Sequence, residues 1–79
     1  MVNTRIAPRH RVSKAAKIEF LDSTISCTVR DLSLTGAAIE ASVRSGIPER
    51  FTLVIPEDGL RLACRVAWLR DYRMGVAFE

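Results

Sequence analysis

Leu60-Arg61-Leu62-Ala63-Cys64-Arg65-Val66-Ala67-Trp68 alternates large apolar side chains with small or charged ones, without a break. Successive side chains of a strand point to opposite faces, so Leu60, Leu62, Cys64, Val66 and Trp68 share one face of a half-buried strand. The same period of two runs through Lys17-Ile18-Glu19-Phe20 and through Thr24 to Arg30, where Ile25, Cys27 and Val29 are the apolar set. Ala37 to Ala41 is a shorter candidate, Phe51 to Ile55 is stopped by Pro56, and Met74 to Phe78 closes the chain. No stretch holds a 3.6-residue period over three turns. The best place for a short helix is around Ser42 to Gly46.

The punctuation between these runs is that of hairpins. Leu21-Asp22-Ser23 joins the first two strands and Arg70-Asp71-Tyr72-Arg73 the last two. Pro56-Glu57-Asp58-Gly59 reads as a tight turn with a glycine available for positive φ. Six short strands with short connections predict an all-β, six-stranded antiparallel β-barrel, closed because closure leaves few exposed edges. The predicted core is Ile18, Phe20, Ile25, Cys27, Val29, Ile39, Phe51, Leu53, Ile55, Leu62, Cys64, Val66, Trp68, Met74, Val76 and Phe78.

A chain of 79 residues allows one domain and excludes a two-domain enzyme. No apolar run reaches the roughly 18 residues that span a bilayer, and Met1 to Arg11 contains no apolar signal segment. The expectation is a cytoplasmic protein with no membrane insertion. Cys27 and Cys64 lack zinc-site spacing, are too few for a disulfide scaffold, and fall on inward positions where apolar surroundings keep a thiol protonated and inert. His10 is the single histidine and lies ahead of the strands, away from any rigid nucleophile. These residues predict no enzyme, no metal and no cofactor.

Charge is distributed unevenly. Arg5, Arg9, Arg11, Lys14 and Lys17 fall within residues 1–17, which contain no acid, while the remainder carries a slight acidic excess. The predicted division is a flexible basic N-terminal arm over 1–12 and a barrel over 13–79. Ten of the twelve basic residues are arginine, whose planar fork grips phosphate and guanine in a two-pronged way that lysine cannot.

Two local features stand out. Arg5-Ile6-Ala7-Pro8-Arg9 is an RxxxR in which Pro8 biases Ala7 toward an extended conformation, so that both arginines project to one side. Asp31-Leu32-Ser33-Leu34-Thr35-Gly36 interrupts the alternation between the second and third strands. Asp31 and Ser33 read either as outward ligand groups or as residues bonding nearby backbone N–H groups. Gly36 permits a left-handed turn or a close backbone approach.

RxxxR followed by DxSxxG, together with a closing Gly75-Val76-Ala77-Phe78-Glu79 strand, resembles the bacterial PilZ domain family over essentially the whole chain. The resemblance implies a six-stranded antiparallel barrel that binds the second messenger cyclic di-GMP. Carried over by position, it makes Arg5 and Arg9 the arm arginines and Asp31, Ser33 and Gly36 the second motif. Arg11, which runs directly into the apolar Val12, competes with Arg9 for the arm role; four residues before it stands Ala7. The implied mechanism is an arm that orders over the nucleotide and covers the barrel mouth, changing a surface read by a protein effector, with homodimerisation left open.

Two other readings are carried. One is a PilZ-like protein-interaction module that does not bind the nucleotide. The other is a small nucleic-acid-binding barrel, which needs exposed aromatics for base stacking. Phe20, Phe51, Trp68 and Phe78 all fall on predicted inward positions, which argues against a nucleic-acid partner.

Overall fold

A computed structural model describes residues 9–42 and 46–79. The alternating segments form six strands: β1 (His10–Phe20), β2 (Ser23–Leu32), β3 (Gly36–Ala41), β4 (Arg50–Ile55), β5 (Leu60–Arg70) and β6 (Arg73–Phe78). All neighbours are antiparallel, and the sheet closes on itself in the order β1-β2-β3-β6-β5-β4. The barrel is thus two three-stranded meanders, β1-β2-β3 and β4-β5-β6, joined along β3–β6 and along β1–β4. The predicted all-β barrel is the observed one.

Several strands run further than the alternation suggested. β1 begins at His10, so His10, Arg11 and Val12 belong to the ladder with β2 rather than preceding it. Pro56–Asp58 forms a single 3-10 turn, closed by Gly59 at φ 65° and ψ 30°, whose N–H donates to the Pro56 carbonyl at 3.0 Å. The helix expected around Ser42 to Gly46 falls largely on residues 43–45, outside the described residues.

The core lies along the barrel axis. Ile18, Val29, Leu53 and Ile55 are wholly buried, with Ile39, Phe51, Cys27, Cys64, Met74 and Val76 around them. Ala16, Ala37 and Ala41 are buried too. Phe20, Ile25, Leu62, Val66 and Phe78 are half-buried at the two ends.

Trp68 is a correction to the predicted core. Its side chain is 44% exposed, on the outer wall. The ladder pairs Val66 with Val76 but Trp68 with Gly75, so two residues of β5 cross one step of β6. Such a bulge reverses which face the following residues take. Val66 therefore points inward with Val76, and Trp68 points outward with Gly75.

Barrel closure is weakest between β1 and β4, which pair only over Lys17–Glu19. Beyond that point Lys14 takes an inward position and its ammonium reaches Asp58 at 2.7 Å and Glu57 at 3.9 Å on the 3-10 turn. The bond to Asp58 raises the Lys14 pKa. An inward lysine at a strand edge also discourages pairing with other chains. Leu21 and Asp71, the first loop residues of two hairpins, hold positive φ of 50° and 53°.

Candidate functional site

Two adjoining bulges shape the wall around Asp31. In the β2–β3 ladder, Val29 pairs with Ile39 and Asp31 with Ala38, so Arg30 is the extra residue. In the β1–β2 ladder, Lys14 pairs with Val29 and Arg11 with Asp31, so Val12 and Ser13 stand across from Arg30. Bulges re-aim side chains. Here they bring Arg30 and Asp31, neighbours in sequence, onto the same outer face, with Arg11 directly across from Asp31. Arg30 then donates from Nη1 to Ser13 Oγ at 3.3 Å and pairs through Nε with Glu40 Oε1 at 3.2 Å. Glu40 Oε2 in turn lies 3.5 Å from Arg73 Nε.

Ser33 ties the corner after Asp31. Its Oγ accepts from the N–H groups of Thr35 and Gly36, each at 3.2 Å, and donates to the Gly36 carbonyl at 3.2 Å. The Ser33 N–H donates to the same carbonyl at 2.9 Å, and the Phe78 N–H donates to Thr35 O at 2.9 Å, fastening the corner to β6. Ser33 thus makes the local backbone bonds expected of a residue in such a corner. Gly36 serves close approach: a Cβ there would collide with the Val76 carbonyl. Its job is to let β3 and β6 meet.

Beyond the corner the outer wall is smooth. Gly36 pairs with Ala77 and Ala38 with Gly75 across β3 and β6, and these four small residues make a shelf. Trp68 bounds it on the far side. Its indole lies over Gly75, in the volume a Cβ would need. One face rests on backbone and the other is open to solvent. Ladder partners taken in turn run Arg11, Asp31, Ala38, Gly75, Trp68, one residue from each of five adjacent strands. At about 4.8 Å per strand, roughly 14 Å of wall separates Asp31 from Trp68.

Several surface charges elsewhere are paired: Arg61 with Glu19 at 2.8 Å, Arg50 and Arg65 with Glu79 at 3.4 and 3.5 Å, and Lys14 with Asp58 at 2.7 Å. Among the described residues, Arg9, Arg11 and Asp31 take part in no ion pair. Arg5, and with it the first half of RxxxR, lies outside the described residues. Nearby, the barrel end forms a groove of about 700 Å³ whose apolar lining of Val12, Leu32, Leu34, Leu60, Leu62 and Phe78 is joined by His10, Lys14 and Ser33.

A family model described as PilZ domain matches residues 3–79. The chain belongs to the PilZ domain family. Among curated proteins none matches it. PilZ domains are binding modules whose known ligand is cyclic di-GMP, and the barrel seen here is the fold expected of one. In this PilZ domain the DxSxxG residues divide their work. Asp31 is presented to solvent on the wall, while Ser33 and Gly36 build the corner that presents it. Sequence reading missed Trp68, Gly75 and Arg30. A glycine in a strand facing a tryptophan on its neighbour is the available signal, but it needs the ladder register to be seen. Cys27 and Cys64 lie in the core, where desolvation pushes both thiols up to about 11. Among the described residues there is no cluster of three metal-ligating side chains, and no helix is long and apolar enough to cross a membrane.

Proposed function

We propose that this PilZ domain is a cyclic di-GMP receptor whose ligand lies along the outer wall between Arg11 and Trp68. The observation that carries the reading is the row of ladder partners: a guanidinium and a carboxylate facing each other at one end with no ion pair among the described residues, a floor of glycine and alanine, and an exposed indole at the other. A guanidinium grips phosphate oxygens or the O6 and N7 of guanine. A carboxylate accepts from the guanine N1–H and N2–H₂ groups. A purine gains by stacking on an aromatic face. Arg11 is assigned to the first role with Arg9 beside it, Asp31 to the second and Trp68 to the third. Arg5 joins through the RxxxR spacing.

The ligand's two negative charges offset repulsion within the basic N-terminal residues, so binding orders them against the barrel. The output is a changed surface read by a protein effector. The direct test is titration of cyclic di-GMP into the protein, by calorimetry and by the emission of the single tryptophan. Saturable heat and quenching, both lost in Asp31→Ala, support the reading. Flat traces at millimolar nucleotide would overturn it.

A second reading has one observation in its favour. The arginine facing Asp31 is Arg11, and the residue four positions before it is Ala7. That removes one guanidinium from the spacing in this register and favours a protein-interaction module without nucleotide. The same titration decides between the two.

A further inference from the structure

Arg30 stands beside Asp31 on the outer face, yet its guanidinium is committed to Glu40 at 3.2 Å and Ser13 at 3.3 Å. Glu40 has a second cation, Arg73, at 3.5 Å. Releasing Arg30 therefore leaves the carboxylate paired. Arg30 and Glu40 each keep about two-fifths of their side-chain surface exposed, so the exchange needs no repacking of the core. Water screens such a pair, and its strength is small enough for a phosphate to compete with it. A doubly charged phosphodiester ring on the adjoining shelf is a stronger partner for a two-pronged guanidinium than one shared carboxylate.

We infer that Arg30 is a further ligand-binding arginine held in reserve by Glu40, and that the carboxylate of Glu40 sets the affinity of the site by competing with the ligand's phosphate. This rests on the cyclic di-GMP reading above. Binding transfers Arg30 from Glu40 to the phosphate, and Glu40 closes on Arg73. Glu40 is thus a positioning residue that weakens binding, and its removal strengthens it.

The test is a double-mutant cycle in the full chain, read by calorimetry with cyclic di-GMP. Glu40→Gln keeps the shape and removes the charge; it is expected to tighten binding about two- to fivefold, the span of an exposed ion pair. Arg30→Ala is expected to weaken binding, and Glu40→Gln is expected to have no effect in the Arg30→Ala background. A merely structural Glu40 has no route to a gain that vanishes with Arg30. Should Glu40→Gln fail to fold, Glu40→Ser carries the same comparison. Wild-type binding that Glu40→Gln leaves unchanged, or a gain that survives in Arg30→Ala, overturns the inference while sparing the receptor reading. Absence of wild-type binding overturns both.

Discussion

Trp68 covers Gly75: the indole of one strand occupies the side-chain position of its ladder partner on the next. The pair shields β6 backbone on the outer wall and fixes the ring flat against the sheet, an arrangement known to compensate a strand glycine. Gly75→Ala is therefore expected to lift the ring and cost about 1–3 kcal/mol. Thermal melting and the tryptophan emission maximum check this together. An unchanged melt with unchanged emission would show that the ring does not depend on the glycine.

The arginine assignment gives a second expectation. Arg11→Ala should weaken cyclic di-GMP binding by roughly 10- to 100-fold, the worth of a charged hydrogen bond. Arg9→Ala, one residue outside the ladder, should weaken it less. Calorimetry on the two variants decides, and the reverse order would move the site toward the arm.

Ser33 and Asp31 should separate cleanly. Ser33→Ala leaves the Thr35 and Gly36 N–H groups without their acceptor and should destabilise the barrel by about 1 kcal/mol. Asp31→Ala removes no ion pair among the described residues and should leave the melting temperature near that of the parent. Binding should fall in both, by loss of the presenting corner in one and of the acceptor in the other.

Alkaline pH should loosen the fold. The native thiols of Cys27 and Cys64 ionise at about 11, against an ordinary 9.0. Between those values the unfolded chain holds fewer protons than the native one, so raising pH favours unfolding. Stability measured by urea titration should drop from pH 9 to 11, and the slope should shrink in a Cys27→Ala/Cys64→Ala variant. The same burial predicts slow reaction of both thiols with a disulfide reagent until the barrel opens.

Leu21 holds a φ of 50° with its side chain 99% exposed. A left-handed conformation costs a non-glycine residue about 1–2 kcal/mol. Leu21→Gly should relieve most of this with no packing lost, raising the melting temperature. A lower melting temperature would mean that the tip contributes contacts of its own.

The barrel was legible because its strands alternate and its turns carry proline, glycine and aspartate at the right intervals. Ile18, Val29, Leu53 and Val76 needed nothing more to be placed inside. Trp68 was misplaced for a definite reason. One extra residue in β5 reverses the facing of everything after it, and a bulge depends on the neighbouring strand, which local alternation does not record. The contest between Arg9 and Arg11 was undecidable for the same reason: which of them faces Asp31 is a matter of register. Ser33 and Gly36 were recognisable as a corner, but only the Val76 carbonyl reveals why the second must lack a side chain.

The join between β3 and β6 has a further meaning. Arg11, Asp31, Ser33 and Ala38 belong to one meander, Gly75, Ala77 and Trp68 to the other, and the shelf crosses the line where they meet. Split the polypeptide between β3 and β4 and each fragment carries half of the proposed site. A messenger bridging that line would act as a staple, holding the two fragments together and making their reassembly a readout of its own concentration.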